Sequence, residues 1–187
     1  MNEPINKADI AIVGAGMAGA SLAASLGKHA RIVLLEAEDI AGYHSTGRSA
    51  AFWSETYGGP AVQPLTSASF DFLHSGGFLG DRGAVHLAAP GDDRHLDRLE
   101  AEFAGRVRLE RLDRSMLEER IPGLRPGFDE GLAEPTCRDI DVAGMHAHYL
   151  AEARRAGVEL KTNARLLSAE RGAGGWRLQT AAGEVRA

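Results

Sequence analysis

Six residues near the amino end could hold an anion without a charged side chain. Gly14-Ala15-Gly16-Met17-Ala18-Gly19 is a G-x-G-x-x-G, and each glycine has a physical use. Gly14 permits a sharp turn out of a strand. Gly16 lets backbone approach a diphosphate where a Cβ would collide, and Gly19 lets the next helix lie close on the sheet. The start of that helix offers N–H groups and the positive end of its dipole. Glu36 is the second chemical group. A carboxylate at the end of the following strand accepts hydrogen bonds from ribose hydroxyls and repels a 2′-phosphate. The pattern predicts a dinucleotide site; a buried strand-helix-strand with an idle glycine-rich turn is the plain alternative.

Those groups need elements to place them. Asp9 to Val13 is a short apolar run with β-branched residues, the pattern of a buried parallel strand. Met17 to Lys28 reads as a helix stopped near Gly27, and Arg31 to Leu35 as a second buried strand ending at Glu36. This is the size of a compact βαβ unit. Ala41 to Gly59 reads as an irregular loop or broken helix. Ala61 to His74 reads as a helix ended by Gly76-Gly77, and Val85 to Ala88 as a short strand. An amphipathic helix is expected from Asp92 to Phe103, with Asp92 and Asp93 at its start. Arg114 to Arg120 is a short helix closed by Pro122, and Gly131 to Ala133 is extended. Asp139-Ile140-Asp141 leads into a helix from Val142 to Arg155, capped by Gly157 and followed by a strand from Val158 to Leu160. Two or three more strands are expected around Leu166, Trp176 to Gln179 and Val185.

Composition narrows the function classes. The 187 residues amount to about one ordinary domain at ~150 residues each. Hydrophobic residues at 44% and charged residues at 25% describe a globular chain. A net charge of −5, with arginines scattered and not striped, argues against a nucleic-acid partner. One cysteine, Cys137, excludes an internal disulfide and a zinc site of several thiolates. Ala8 to Leu26 is nearly uncharged, but Asp9 at its start and its interrupting glycines argue against a signal peptide or membrane span. A cytoplasmic chain is therefore expected.

The fingerprint serves NAD and FAD alike, and the next segment discriminates. Gly42-Tyr-His-Ser-Thr-Gly-Arg-Ser-Ala-Ala51 is rich in small and hydroxylated residues, which suits backbone wrapping around a bulky ligand. A plain NAD domain proceeds instead into another helix and strand. Together with the fingerprint and Glu36, this loop resembles the glycine/D-amino-acid oxidase superfamily of FAD-dependent oxidoreductases. The likeness is greatest to bacterial D-amino-acid dehydrogenases of the D-arginine dehydrogenase type. It continues through Phe52-Trp-Ser-Glu-Thr-Tyr-Gly58 and the Asp139-Ile-Asp141 approach to the Val142 helix.

The resemblance implies an α/β, Rossmann-like FAD-binding fold of three layers with part of an inserted α+β substrate domain, cut short at the carboxyl end. Residues 1–187 would then be an incomplete oxidoreductase domain. The βαβ unit and flavin loop would occupy 8–58, part of a substrate or cap region 60–138, and the return to the FAD domain 139–187. Gly14, Gly16, Ala18 and Gly19 would face the FAD diphosphate, and Glu36 with Ala37 the adenosine. Ser45, Thr46, Gly47, Arg48, Ser49, Ala50 and Ala51 would run along the diphosphate and ribityl chain, with backbone near Leu166 at the adenine. Tyr57 matches a lid tyrosine over the substrate. Phe52 replaces a histidine of the arginine-type enzymes, and Ala84 stands where a cationic substrate would want a carboxylate. Both departures argue against arginine as substrate.

The implied chemistry is oxidation of the neutral amine of a D-amino acid. Hydride passes from Cα–H to flavin N5, giving an imino acid that water hydrolyses. The implied partners are a small amino-acid or amine substrate and an electron acceptor, which could be a quinone, an artificial acceptor or oxygen. The same superfamily also allows sarcosine, proline or a polyamine as substrate. A non-catalytic FAD-binding fragment and a NAD-binding module are the readings from other classes.

Other groups carry less. His146 and His148 lie two apart and face different sides of a helix, a poor arrangement for a shared metal. Asp139 or Asp141 as N-cap explains that cluster better. His44 could bond the cofactor or order its loop, and Arg48 could offset diphosphate charge or bond loop carbonyls. His74, His86 and His95 read as surface or boundary residues. Cys137 has no neighbouring base to make it a nucleophile, and Ser25 and Ser49 lack a G-x-S-x-G setting. Asp92 to Glu102 is a solvated face. No catalytic residue and no metal site is expected.

Overall fold

The computed structural model describes residues 7–92 and 94–187, so the Asp93 half of the expected acidic pair lies outside the described residues. The chain divides into two units: residues 1–50 with 142–187, and residues 51–141.

In the first unit, strand β1 (Ile10–Val13), helix α1 (Met17–Leu26) and strand β2 (Ile32–Leu35) form the expected βαβ unit. β2 is apolar and buried at all four positions, which only a strand covered on both faces sustains. It pairs in parallel with β1, Ile10 opposite Ile32, and with β9 (Glu159–Lys161), Val33 opposite Glu159. The two-residue period of β2 then sorts the layers. Ile32 and Leu34 pack with Ala23 of α1 and Ala153 of α5 (Val142–Arg155). Val33 and Leu35 pack with Leu178 and Val185. Those last two belong to an antiparallel meander of β10 (Leu166–Gly172), β11 (Gly175–Thr180) and β12 (Gly183–Arg186). Helices, parallel sheet and meander are the three layers. The Asp9 carboxylate clasps Arg31 at 2.7 Å, and the Arg31 hydrogen bonds hold its pKa down to about 2.

The second unit is α+β. One antiparallel sheet has the order β3 (Ala51–Trp53), β8 (Arg138–Ile140), β4 (Leu79–Asp81). The other runs β5 (Ala84–Leu87), β7 (Glu130–Glu134), β6 (Glu110–Asp113). Helices α2 (Gln63–Ser75), α3 (Arg94–Phe103) and α4 (Arg114–Arg120) complete it. Asp113 caps α4 by accepting the Met116 N–H at 2.9 Å, and Leu117 behind it is buried with Leu112 and Ala133. Trp53 packs on Phe70, and its indole N–H donates to the Thr66 carbonyl at 2.8 Å.

Four strands, β3, β4, β6 and β8, depart from the sequence reading, which took the last only as the approach to α5. Each has three or four residues, too few for an alternating pattern to register, and β6 (Glu-Arg-Leu-Asp) has one apolar residue. The loop read from Ala41 to Gly59 accordingly contains a 3-10 turn at Thr46–Arg48 and then β3. Pairing of β3 with β8 also places the crossing between units at Ala51, ahead of the Gly58 boundary read from the sequence. Asp139 lies inside β8 and pairs with Arg82 at 2.6 Å, so it is not the α5 cap; Asp141 directly precedes that helix.

Candidate functional site

The polar features of the first unit converge where β1 and β2 end. Gly14 turns there with φ +95°, a conformation that favours glycine, and its N–H donates to the Leu35 carbonyl at 2.7 Å. A Cβ on Gly19 would lie 1.9 Å from the Gly14 carbonyl oxygen, so only glycine lets α1 start this close to the turn. A Cβ on Gly16 would stand 3.0 Å from the Thr46 hydroxyl. Among the described residues, no protein acceptor takes the N–H of Gly16 or Ala18. The helix start thus presents donors and a dipole end to whatever enters.

Glu36 is buried, and its two carboxylate oxygens accept backbone N–H groups, Ala15 at 2.9 Å and Glu38 at 3.1 Å. A carboxylate has about four acceptor directions, so lone pairs are left for hydroxyl donors. The Glu36 carbonyl accepts the Ala164 N–H at 2.7 Å, which brings Ala164 to Leu166 alongside. The outcome is a cavity of about 360 Å³ at the carboxyl ends of β1 and β2. That lies within the ~300–1,000 Å³ of small-molecule sites, at the place where parallel α/β sheets bind ligands.

Of the residues singled out from the sequence, Gly14, Gly16, Glu36, Ala37, Ser45, Thr46 and Leu166 line this cavity. Ala18, Gly19, Gly47, Arg48, Ser49 and Ala50 do not, and Ala51 and Tyr57 belong to the second unit. Thr46 Oγ1 accepts the Met17 N–H at 3.0 Å and keeps its own proton for an acceptor in the cavity. Gly47 donates to the Gly42 carbonyl at 2.6 Å and so shapes the loop from behind. Arg48 stacks over Tyr43, 5.0 Å from the ring centre. His44 orders the loop: its Nε2 lies 3.0 Å from Glu38, which Arg165 also holds at 3.1 Å.

His146 is the contribution that sequence reasoning missed. Its buried ring lies under Gly42, and Nε2 donates to the Ala15 carbonyl at 2.7 Å, across 131 residues of chain. The sequence offered only its place on the Val142 helix, and its burial there emerges from the structure. Among the described residues, no group of three or more His, Cys, Asp or Glu could hold a metal ion, and no helix is long and apolar enough to cross a membrane.

In the second unit, Tyr57 is 70% exposed and meets Phe52 edge-on at 5.7 Å. Arg82 lies over the Phe52 ring at 5.2 Å, with Asp139 neutralising it. Cys137 is buried, and that burial, with Glu134 nearby, raises its thiol pKa, the opposite of what a nucleophile needs.

Solved structures share this fold. NikD, an unusual amino acid oxidase, matches at 22% identity and TM-score 0.81, covering 97% of this chain and 49% of its own. Glycine oxidase from Geobacillus kaustophilus matches at 20% and 0.84, covering 97% and 54%. L-proline dehydrogenase from P. horikoshii matches at 16% and 0.79, covering 98% and 51%. At such identities the likeness is one of fold, and the chain spans about half the length of each. The turn, helix start and buried carboxylate fit FAD in kind: the free N–H groups suit a diphosphate, and the remaining Glu36 lone pairs suit ribose hydroxyls. A profile described as "FAD dependent oxidoreductase" matches residues 9–187, nearly the whole chain, which therefore belongs to that family, with FAD as its cofactor.

Proposed function

We propose that this chain supplies the FAD-binding part of an enzyme that oxidises the amine of a D-amino acid with an uncharged side chain. The observation that carries the reading is the cradle at β1, α1 and Glu36, which fits FAD within a family of FAD-dependent oxidoreductases. Several solved relatives carry amino-acid names: NikD is called an amino acid oxidase, and others glycine oxidase and L-proline dehydrogenase. Bound FAD supplies the two-electron acceptor for hydride from the substrate Cα–H.

The chain's own residues would divide the remaining work. Gly14, Gly16, Ala18 and Gly19 would receive the diphosphate, with the Thr46 hydroxyl donating to it. Glu36 and Ala37 would hold the adenosine ribose, and backbone at Leu166 the adenine. Ser45 and Gly47 to Ala51 would carry the chain along the cofactor, and Tyr57 would cover the substrate. Phe52 and Tyr57 form an aromatic pair, and Ala84 brings no carboxylate, so an apolar side chain is preferred over a cationic one. This separates the chain from the arginine-selective enzymes it resembles. An electron acceptor such as a quinone or oxygen completes the cycle. The cytoplasm is the proposed location, because the apolar 8–26 segment is used as strand and helix.

The test is spectroscopic. The full chain is mixed with FAD, separated from excess, and titrated anaerobically with a panel of amines. Flavin absorbance retained by the protein and bleached by neutral D-amino acids is the expected result. Bleaching by sarcosine, proline or a polyamine alone would replace the substrate assignment. Retention of NAD but not FAD would overturn the cofactor assignment.

A further inference from the structure

Glu134 ends β7 with no exposed surface, a costly place for a carboxylate unless its lone pairs are used. Here they are. Oε1 accepts the Glu55 N–H at 2.7 Å; Oε2 accepts the Ser54 hydroxyl at 2.8 Å and the Thr56 hydroxyl at 2.6 Å. Three successive residues donate to one carboxylate. Ser54 and Thr56 are buried themselves, and β5–β7 pairing holds Glu134 opposite Ala84. His86 brings Nε2 to 3.6 Å from Oε2 and 3.3 Å from the Thr56 hydroxyl. The Glu55 carboxylate points to α2, where it accepts from Ser67 and, at 3.5 Å, from Gln63. Residues 54–56 are therefore tied on two sides.

The next residue is Tyr57. Gly58 and Gly59 follow it with φ of 85° and 79°, so the chain turns away at once. Tyr57 thus stands exposed at the end of a fixed stem, with its ring set against Phe52. An apolar residue at position 134 would fill the same space but would leave the Glu55 N–H without an acceptor and the Ser54 and Thr56 hydroxyls with only each other and His86.

We propose that Glu134 is a positioning residue for Tyr57: its carboxylate fixes residues 54–56 and so sets the Phe52–Tyr57 pair that meets the substrate side chain. The inference rests on the reading of Tyr57 as a substrate lid. Its effect on binding is indirect, through the stem, and Glu134 itself touches no substrate.

The full chain loaded with FAD is compared with its Glu134→Gln, Tyr57→Ala and doubly substituted forms, and with Leu112→Ala, which loosens the same unit away from the stem. Glutamine keeps the shape but loses one acceptor oxygen. The expected result is a KM for the bleaching amine raised about tenfold, with kcat within about twofold, the pattern of lost binding. In the Tyr57→Ala background Glu134→Gln adds nothing to KM, Glu134→Asp recovers part of the loss, and Leu112→Ala lowers the melting temperature without moving KM. Two readouts need no turnover. In Glu134→Gln the Glu55 amide exchanges at least about tenfold faster, and nitration of Tyr57 by tetranitromethane changes rate, while β1 and β2 amides keep their protection. Ser54→Ala and Thr56→Val give the same shifts at smaller size if the glutamine form does not fold. Additive effects of Glu134→Gln and Tyr57→Ala on KM, or an unchanged Glu55 amide, overturn the proposal. Faster Glu55 exchange in a protein that oxidises no amine supports the clamp and sinks the substrate reading instead.

Discussion

Gly19→Ala sets two physical effects against each other. Gly19 lies in the first turn of α1 with an ordinary φ, so alanine meets no backbone strain there. Helix propensity alone would then stabilise the protein by about 1 kcal/mol. The new Cβ, however, would stand 1.9 Å from the Gly14 carbonyl oxygen and 3.4 Å from Ile12 Cγ2. Ordinary contact requires one of them to retreat by about 1.5 Å, far more than a core yields at low cost. Gly14 is held by its bond to Leu35 and Ile12 is in the core, so the turn must deform. Overpacking costs about 1–3 kcal/mol, and a retreat of this size lies at the upper end of that range. Set against the propensity gain, the net loss is about 2 kcal/mol. At roughly 2–4 °C per kcal/mol for a chain of this size, the melting temperature falls by about 4–8 °C. Because the displaced carbonyl belongs to the cradle, FAD affinity falls at least about tenfold, beyond the stability loss. Thermal unfolding with and without FAD measures both. A melting temperature equal to or above wild type, with FAD retained, would refute the steric reasoning.

Glu36→Gln leaves the Ala15 or Glu38 N–H facing an amide NH2, at about 1–3 kcal/mol for a buried unsatisfied donor. FAD and ADP affinity should fall together in equilibrium dialysis; loss of FAD binding with ADP unchanged would contradict the ribose assignment. Cys137 should resist a thiol reagent in the native protein and react at full rate in urea, since burial and a raised pKa both suppress the thiolate. Fast native labelling would show that the second unit opens. For Glu134, burial pushes the carboxyl pKa up, but the nearby His86 ring and hydrogen bonds from Thr56, Ser54 and the Glu55 N–H outweigh it and hold the value below the ordinary 4.5. A depressed folded pKa gives stability that is complete above the unfolded value and fades as pH drops through the folded one. Urea unfolding between pH 7 and pH 3 should therefore lose stability below about 4.5, and Glu134→Gln should flatten that limb. Equal slopes in the two proteins would argue against a charged Glu134.

What was legible in the sequence is what local pattern encodes. β1, α1 and β2 follow from runs of apolar residues bounded by Gly14 and Glu36, and α5 from a helix-forming stretch ended by Gly157. The geometry of the glycine turn was legible for the same reason: the residues that shape it are contiguous. β3, β4, β6 and β8 were not, because strands of three or four residues owe their existence to a partner far away in sequence. β3 forms because β8 lies beside it, Phe52 opposite Asp139, and nothing in Ala51-Phe52-Trp53 announces that pairing. Contacts of single polar residues were hidden likewise. Arg48 lies over the Tyr43 ring, and Asp139 pairs with Arg82 across the sheet, which leaves Asp141 directly before α5.

The site itself divides along the same line, and His146 shows why. A G-x-G turn exposes N–H groups on its inner side only by orienting carbonyls elsewhere, and a buried carbonyl needs a donor. For Ala15 that donor is the imidazole of a residue 131 positions away, on a helix whose sequence looks like any other. Glu36 does the complementary task by accepting the Ala15 N–H. Both polar groups of the residue between the two glycines are thus satisfied by side chains from other elements, before any ligand enters. The fingerprint states which backbone can meet a diphosphate. The rigidity that makes such a meeting favourable comes from α5 and the end of β2, which hold the turn in its binding shape in advance.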